Sequence, residues 1–182
     1  MSATRLLILG ALRFMQPAHG YSIRRELESW HAESWANIAY GSIYFALNKL
    51  EQDGLVAISE TEPRIGRPQR ISYVITEAGE IEFQCLLRAF WFDYKPPIDP
   101  FMVAISFLDQ LPRDELIAAL RHHVAAARIA ADGLQHQLAT PIAADYKPRH
   151  VAQMPRLMLA RIEADVRWTE EVIAMIERGE LP

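Results

Sequence analysis

The chain is 182 residues long, sets 19 lysines and arginines against 23 aspartates and glutamates, and is 51% hydrophobic. That is enough apolar material for a real core in one ordinary domain or two small ones, and it excludes disordered, collagenous and low-complexity classes. A formal net charge of -4 argues, as an average, against a nucleic-acid partner. Cys85 is the one cysteine, so no internal disulfide and no cysteine-based zinc site can form within one chain. No run approaches the roughly 18 apolar residues of a membrane span. The start, Met1 to Arg5 followed by Leu6-Leu7-Ile8-Leu9, superficially resembles a signal peptide. Arg13 and Gln16 break its apolar run and no small-residue cleavage site follows, so an unprocessed, cytoplasmic protein with no membrane contact is expected.

Punctuation residues divide the rest. Thr4 to about Phe14 has the length of a helix, broken by Gln16-Pro17-Ala18-His19-Gly20. A second helix fits Tyr21 to about Trp30, with Tyr21, Ile23, Leu27 and Trp30 on one face. Ile43, Ala46, Leu47 and Leu50 recur at helical spacing and predict a third helix ending at Asp53-Gly54, with Gly54 as its stop. The period then changes. Leu55 to Glu60 and Arg70 to Ile75 read as two strands joined through Glu62 to Pro68, a β-hairpin. Thr76 is a natural N-cap for a fourth helix that runs to Tyr94 and stops at Lys95-Pro96-Pro97.

Beyond Asp99-Pro100, where Asp99 can cap a helix that begins at Pro100, the chain reads as helical almost throughout. Leu116, Leu120, Val124, Ala127, Ala131, Leu134 and Leu138 form one stripe, and Leu159, Ile162, Val166, Thr169, Ile173 and Ile176 another. Alternating steps of four and three describe coiled-coil seams. The two helices are antiparallel candidates within one chain, and their leftover apolar faces can close a dimer. The fold class is therefore mainly α with a small β-hairpin: an N-terminal winged helix-turn-helix over residues 1–80 and a helical dimerisation domain over 81–182. In that module the third helix enters the major groove and the hairpin wing lies against the flanking backbone or minor groove.

Local charge separates the two parts. From Ala36 to Leu50 there is no acid and one base, Lys49; from Pro63 to Thr76 there are three bases, Arg64, Arg67 and Arg70, and no acid. Phosphate attraction is felt over a Debye length of ~8 Å at physiological salt, so these windows outweigh the net charge.

Several motifs occur in one order: His19-Gly20-Tyr21; Tyr40-Gly41-Ser42-Ile43-Tyr44 through Leu47-Asn48-Lys49-Leu50-Glu51; Gly54-Leu55-Val56; Gly66-Arg67-Pro68; and Tyr73-Val74-Ile75-Thr76-Glu77-Ala78-Gly79. Over residues 5 to 85 the chain thereby resembles the PadR family of transcriptional regulators. Phe45 departs from the pattern, since the family has proline after the tyrosine. The helical second half is similar to the dimerisation region of the Vir-like branch, which has a longer C-terminal domain. The resemblance implies a homodimeric repressor that binds double-stranded DNA at a roughly palindromic operator and is released by a small aromatic or phenolic effector.

With Ile43, Ala46, Leu47 and Leu50 facing inward, Ser42, Tyr44, Asn48 and Lys49 fall on the outer side of the third helix, where hydroxyl, amide and ammonium groups can reach base edges or phosphates. Tyr40 and Asn37 can reach backbone near the helix start. A solvated face is the plain alternative, and Tyr44 has a packing alternative as well. Arg67 at the wing tip suits a narrow minor groove or phosphates, flanked by Arg64 and Arg70 as phosphate contacts; the alternative is a hairpin kept soluble by charge. Phe90, Trp91 and Tyr94, joined by Phe101 and Trp168, read either as an aromatic effector pocket or as hydrophobic packing. Leu116, Leu120, Val124, Leu159, Ile162, Val166 and Ile173 are the dimerisation candidates. Six histidines lack metal-ligand spacing, no catalytic motif occurs, and no cofactor or enzymatic activity is expected. A winged module for protein contacts, or a small-molecule sensor without DNA binding, is the alternative function.

Overall fold

The computed structural model describes residues 2–36, 38–62, 70–139 and 150–181. The chain divides into two compact units, Met1–Pro96 and Pro97–Pro182. In the first, α1 (Ala3–Met15) starts at Ser2, whose hydroxyl accepts from the Arg5 amide. It is followed by β1 (Ala18–His19), α2 (Gly20–Ser29), a short α3 (Ala32–Ala36), a 3-10 turn over Tyr40–Ser42 and α4 (Ile43–Gln52). Strands β2 (Val56–Glu62) and β3 (Arg70–Ile75) form the hairpin, and α5 (Glu77–Phe92) closes the unit.

The core is made where the buried faces of these helices meet; Tyr21, expected on the apolar face of α2, is instead 56% exposed, because at 100° per residue it falls on the side opposite Ile23 and Leu27. Ile8, Leu9 and Leu12 of α1, Ile23 and Leu27 of α2, and Ile43, Leu47 and Leu50 of α4 are all but fully buried together with Val56. Each such side chain contributes about 1.5–3 kcal/mol by leaving water. The third helix expected from the periodicity is therefore α4, because a five-residue helix, too short to show a period, intervenes. Sequence reading also missed β1, whose two residues carry no alternation and exist as a strand only through pairing: Ala18 with Tyr73 and His19 with Ser72. The hairpin is thus a three-stranded sheet in the order β1-β3-β2, with β3 central. The His19 ring bonds the Ser72 hydroxyl at 3.0 Å, and the Gln16 side chain accepts from the Ile75 amide at 2.9 Å, so the edge of β3 is satisfied beyond the two paired residues. A bulge between Ile58 and Glu60 bends β2.

The start of α5 is fused to the end of α4. Gly54 (φ 72°) turns the chain out of α4, with the Leu55 amide returning to the Leu50 carbonyl at 2.8 Å and the Gly54 amide to Glu51 at 2.9 Å, the bond pair of a Schellman motif. Thr76 then donates its hydroxyl to the Gly54 carbonyl at 2.7 Å, donates its amide to the Leu55 carbonyl at 3.1 Å, and accepts the Gly79 amide at 3.0 Å as N-cap. Gly79 lies so close that a Cβ there would sit 2.0 Å from the Leu55 carbonyl oxygen. Arg5 adds ion pairs from α1 to Asp53 and Glu82, and α5 ends at Phe92, two residues before the predicted Tyr94.

In the second unit the Asp99 carboxylate accepts from the Phe101 amide at 2.9 Å, so α6 (Phe101–Ile105) begins one residue after the expected Pro100. After a 3-10 turn at Leu108–Gln110, α7 (Arg113–Ala139) and α8 (Gln153–Glu177) pack antiparallel. Leu116 and Leu120 meet Val172 and Ile176 in one buried cluster, and Val124 is buried beside them. The Arg113 guanidinium caps the last α8 carbonyls, Ile176 at 2.9 Å and Glu177 at 3.0 Å, while Arg121 pairs with Glu177 and Arg128 with Glu170. Leu116, Leu120 and Val124 are therefore covered within the chain, whereas Leu159, Ile162, Val166 and Ile173 stay half-buried.

Two helical glycines should respond in opposite directions. Gly79→Ala forces backbone apart and should lower stability by about 2–3 kcal/mol. Gly133→Ala, where nothing lies within 4 Å of the new Cβ, should raise it by about 0.5–1 kcal/mol. Urea denaturation of the two variants, read as midpoint shifts at unchanged slope, checks both.

Candidate nucleic-acid interface

At 100° per residue, Ile43, Leu47 and Leu50 mark the inner side of α4 and leave Phe45, Asn48 and Gln52 at the centre of its outer side, flanked by Tyr44 and Lys49. The exposures agree: Tyr44 is 45% and Phe45 76% exposed, and Asn48, Lys49 and Gln52 are exposed. Glu51, also exposed, lies at the edge of this strip. Its charge adds to burial in raising the Tyr73 hydroxyl above its ordinary value.

The predicted contact residues fall into distinct environments. Tyr40 is half-buried, its hydroxyl donating to the Leu27 carbonyl and accepting from the Glu33 amide, each at 3.4 Å. Ser42 donates its hydroxyl to the Ala39 carbonyl at 2.7 Å. Both hydroxyls are used inside the protein, where they hold the turn that launches α4. Tyr44 packs and is exposed at once: a Cβ on Gly20 would stand 3.0 Å from its ring, so Gly20 lets α2 approach α4, while almost half of the side chain stays in water. Among the described residues the Asn48 amide has no hydrogen-bond partner. Arg70 opens β3, and Asn37, Arg64 and Arg67 lie outside the described residues.

Lys49 is held rather than free. Its ammonium lies 3.1 Å from an Asp53 carboxylate oxygen, one turn on, and Asp53 also pairs with Arg5. The hydrogen bond from Lys49, followed by the charges of Lys49 and Arg5, keeps the Asp53 carboxyl below the usual carboxylate range. On α2, Arg24 pairs with Glu28 at 2.7 Å and Arg25 donates to the Tyr21 hydroxyl at 3.3 Å, lining an open depression with Ser29.

The aromatic candidates divide between the units. Phe90, Trp91 and Tyr94 are exposed at and beyond the end of α5, Trp91 and Tyr94 at 80% and 87%. In the second unit Phe101 meets the Trp168 ring edge-on, centroids 6.2 Å apart, and stacks on His123 at 4.3 Å. His123 bonds the Asp165 carboxylate at 2.9 Å. Sequence reading weighed His123 only as a metal ligand and had no signal for this stack, since three separate helices supply it. Among the described residues no group of three or more His, Cys, Asp or Glu side chains is arranged for a metal, and no helix is long and apolar enough to cross a membrane. Phe45 and Gln52 were also missed, although the helical wheel alone places them opposite the buried stripe.

Comparison with known proteins supplies three findings. The model of the transcriptional regulator PadR-like family matches residues 8–85, which include every element from α2 to β3. The fold is similar to that of Bacillus subtilis PadR solved with operator DNA, at 23% identity and a TM-score of 0.67 over 94% of this chain and 98% of that one. It is similar also to the same Bacillus protein with p-coumaric acid (21% identity, TM-score 0.71, covering 95% and 98%) and to the Vibrio cholerae virulence activator AphA (22%, 0.66, 97% and 99%). No curated protein matches the chain.

The depressed Asp53 carboxyl sets a pH dependence. Its stabilisation is complete above the unfolded carboxylate value of about 3.9 and is lost as the pH falls through the lower folded value. Asp53→Asn should accordingly be less stable than the parent protein at pH 7. The gap should close between pH 4 and pH 2, as followed by urea midpoints across that range.

Proposed function

We propose, from the match of residues 8–85 to the PadR-like family of transcriptional regulators and from the outer face of α4, that the chain is a member of that family and a sequence-specific DNA-binding regulator acting as a homodimer. The observation that carries the reading is the strip Tyr44, Phe45, Asn48, Lys49 and Gln52, exposed on a helix whose other side is locked into the core by Ile43, Leu47 and Leu50. A helix so held can be pressed into a major groove without distorting the domain.

In this reading Asn48 offers an amide that suits the N6/N7 edge of adenine, Tyr44 a hydroxyl for a base or phosphate, and Lys49 a cation that can exchange Asp53 for a phosphate. Arg64, Arg67 and Arg70 on the wing add phosphate or minor-groove contacts. Tyr40 and Ser42, whose hydroxyls hold the turn that launches α4, and Asn37 contact the DNA near the helix start. The winged module takes residues 1–80 and the dimerisation part 81–182, where the half-buried Leu159, Ile162, Val166 and Ile173 offer apolar surface to a second copy and Leu116, Leu120 and Val124 brace it from inside. Two-fold symmetry calls for a roughly palindromic operator, and release by a small aromatic effector is the accompanying reading, with Phe101 and Trp168 of the second unit, or separately Phe90, Trp91 and Tyr94 of the first, as its candidates. Crystal structures of the Bacillus protein with operator DNA and with p-coumaric acid support both parts. Such a regulator works in the cytoplasm, and we assign it no catalytic step.

Gel shifts on DNA upstream of its own gene and on a random pool, at about 50 and 200 mM salt, test the proposal. Binding should weaken steeply with salt, by a log–log slope of about 0.9 per phosphate contact. Lys49→Ala should weaken binding to all sequences alike and reduce the slope by about 1. No shift on either DNA would overturn the reading.

A further inference from the structure

Phe45 is the least expected residue on α4. It is 76% exposed at the centre of the outer side, one turn from Asn48 and beside Lys49, and the fold gains nothing from leaving that ring in water. We infer that Phe45 is a specificity-determining residue that reads the 5-methyl group of a thymine in the major groove, with Asn48 on an adenine one turn along the helix. The inference rests on the DNA-binding reading above and deepens it.

The chemistry narrows the target. A phenyl ring can neither donate to nor accept from base edges and cannot pair with phosphate, so its gain must come from apolar contact. In the major groove the one apolar group on an ordinary base pair is the thymine 5-methyl; guanine, cytosine and adenine present only donors and acceptors. The neighbour at i+3 points the same way. Asn48 carries donor and acceptor in the spacing that suits adenine N6 and N7, and its amide is not spent within the described protein. Phe45 and Asn48 rise about 4.5 Å apart along α4, comparable to the spacing of neighbouring base pairs, so the two together favour a run of A·T pairs under the middle of the helix. 5-Methylcytosine carries the same methyl group and is expected to offer Phe45 the same contact.

The test uses the full chain and the tightest duplex selected from random DNA. Each thymine is replaced singly by deoxyuridine, which removes the methyl and leaves every hydrogen-bonding group. For the parent protein, one or two positions in each half-site should lose about three- to fivefold in affinity, the size expected for one buried methyl. Phe45→Ala should bind the thymine and deoxyuridine probes equally, at the level the parent shows on deoxyuridine, and Phe45→Leu should keep part of the discrimination. At the same position a 5-methylcytosine probe should bind more tightly than its cytosine counterpart, by a similar factor, for the parent and not for Phe45→Ala. Since Phe45 is exposed, denaturation midpoints of the variants should match the parent and exclude a folding effect. A parent protein indifferent to every thymine methyl, or a methyl effect of equal size in Phe45→Ala, overturns the assignment while leaving DNA binding intact. No binding of the parent to any DNA overturns both.

Discussion

The Gly79 backbone lies against the Leu55 carbonyl so closely that no side chain fits between them. Around that contact the Thr76 side chain and amide bind both residues of the turn that leaves α4, and the same hydroxyl caps α5. One threonine and one glycine therefore fix three things together: where the reading helix ends, where the wing's first strand departs, and where α5 begins. A winged module presents its helix and hairpin as one rigid surface only if the joint between them has no slack. Here the slack is removed by backbone contact, which has no rotamers to lose.

Electrostatics follow the same economy. The -4 net charge describes no particular surface; what matters is which carboxylates are paired. Asp53 faces Arg5 and Lys49, and Glu28 holds Arg24. Exposed ion pairs of this kind add little to stability, with a median of about 0–1 kcal/mol. Their consequence is positional: beside Phe45 and Asn48 in the middle of the exposed side of α4, the Lys49 ammonium is tied to Asp53.

Much of the first unit was legible because its periods are long enough to see. Three stripes of buried residues named α1, α2 and α4, Gly54 named the end of α4, and Thr76 named the start of α5. The misses have physical causes. A two-residue strand has no alternation, so β1 exists only because β3 lies beside Ala18 and His19. Tyr40 and Ser42 look like surface hydroxyls in sequence, but each finds a backbone carbonyl through a turn that no motif announces. Phe45, noted in sequence only as a departure from the family pattern, was legible as a surface residue on the helical wheel. In the second unit the periodic stripes marked α7 and α8, while the division of their residues between the internal seam and the remaining face needed coordinates.

The sequence by itself determined what is local: element types, caps, the buried stripe of each helix, and the positive windows on α4 and the hairpin, because these follow from residue spacing along one chain. Tertiary structure decided which hydroxyls are spent and which cation is paired. It also decided that Phe101, His123 and Trp168 meet. Those outcomes depend on distances of a few ångströms between segments far apart in the chain, and spacing along the sequence carries no measure of them.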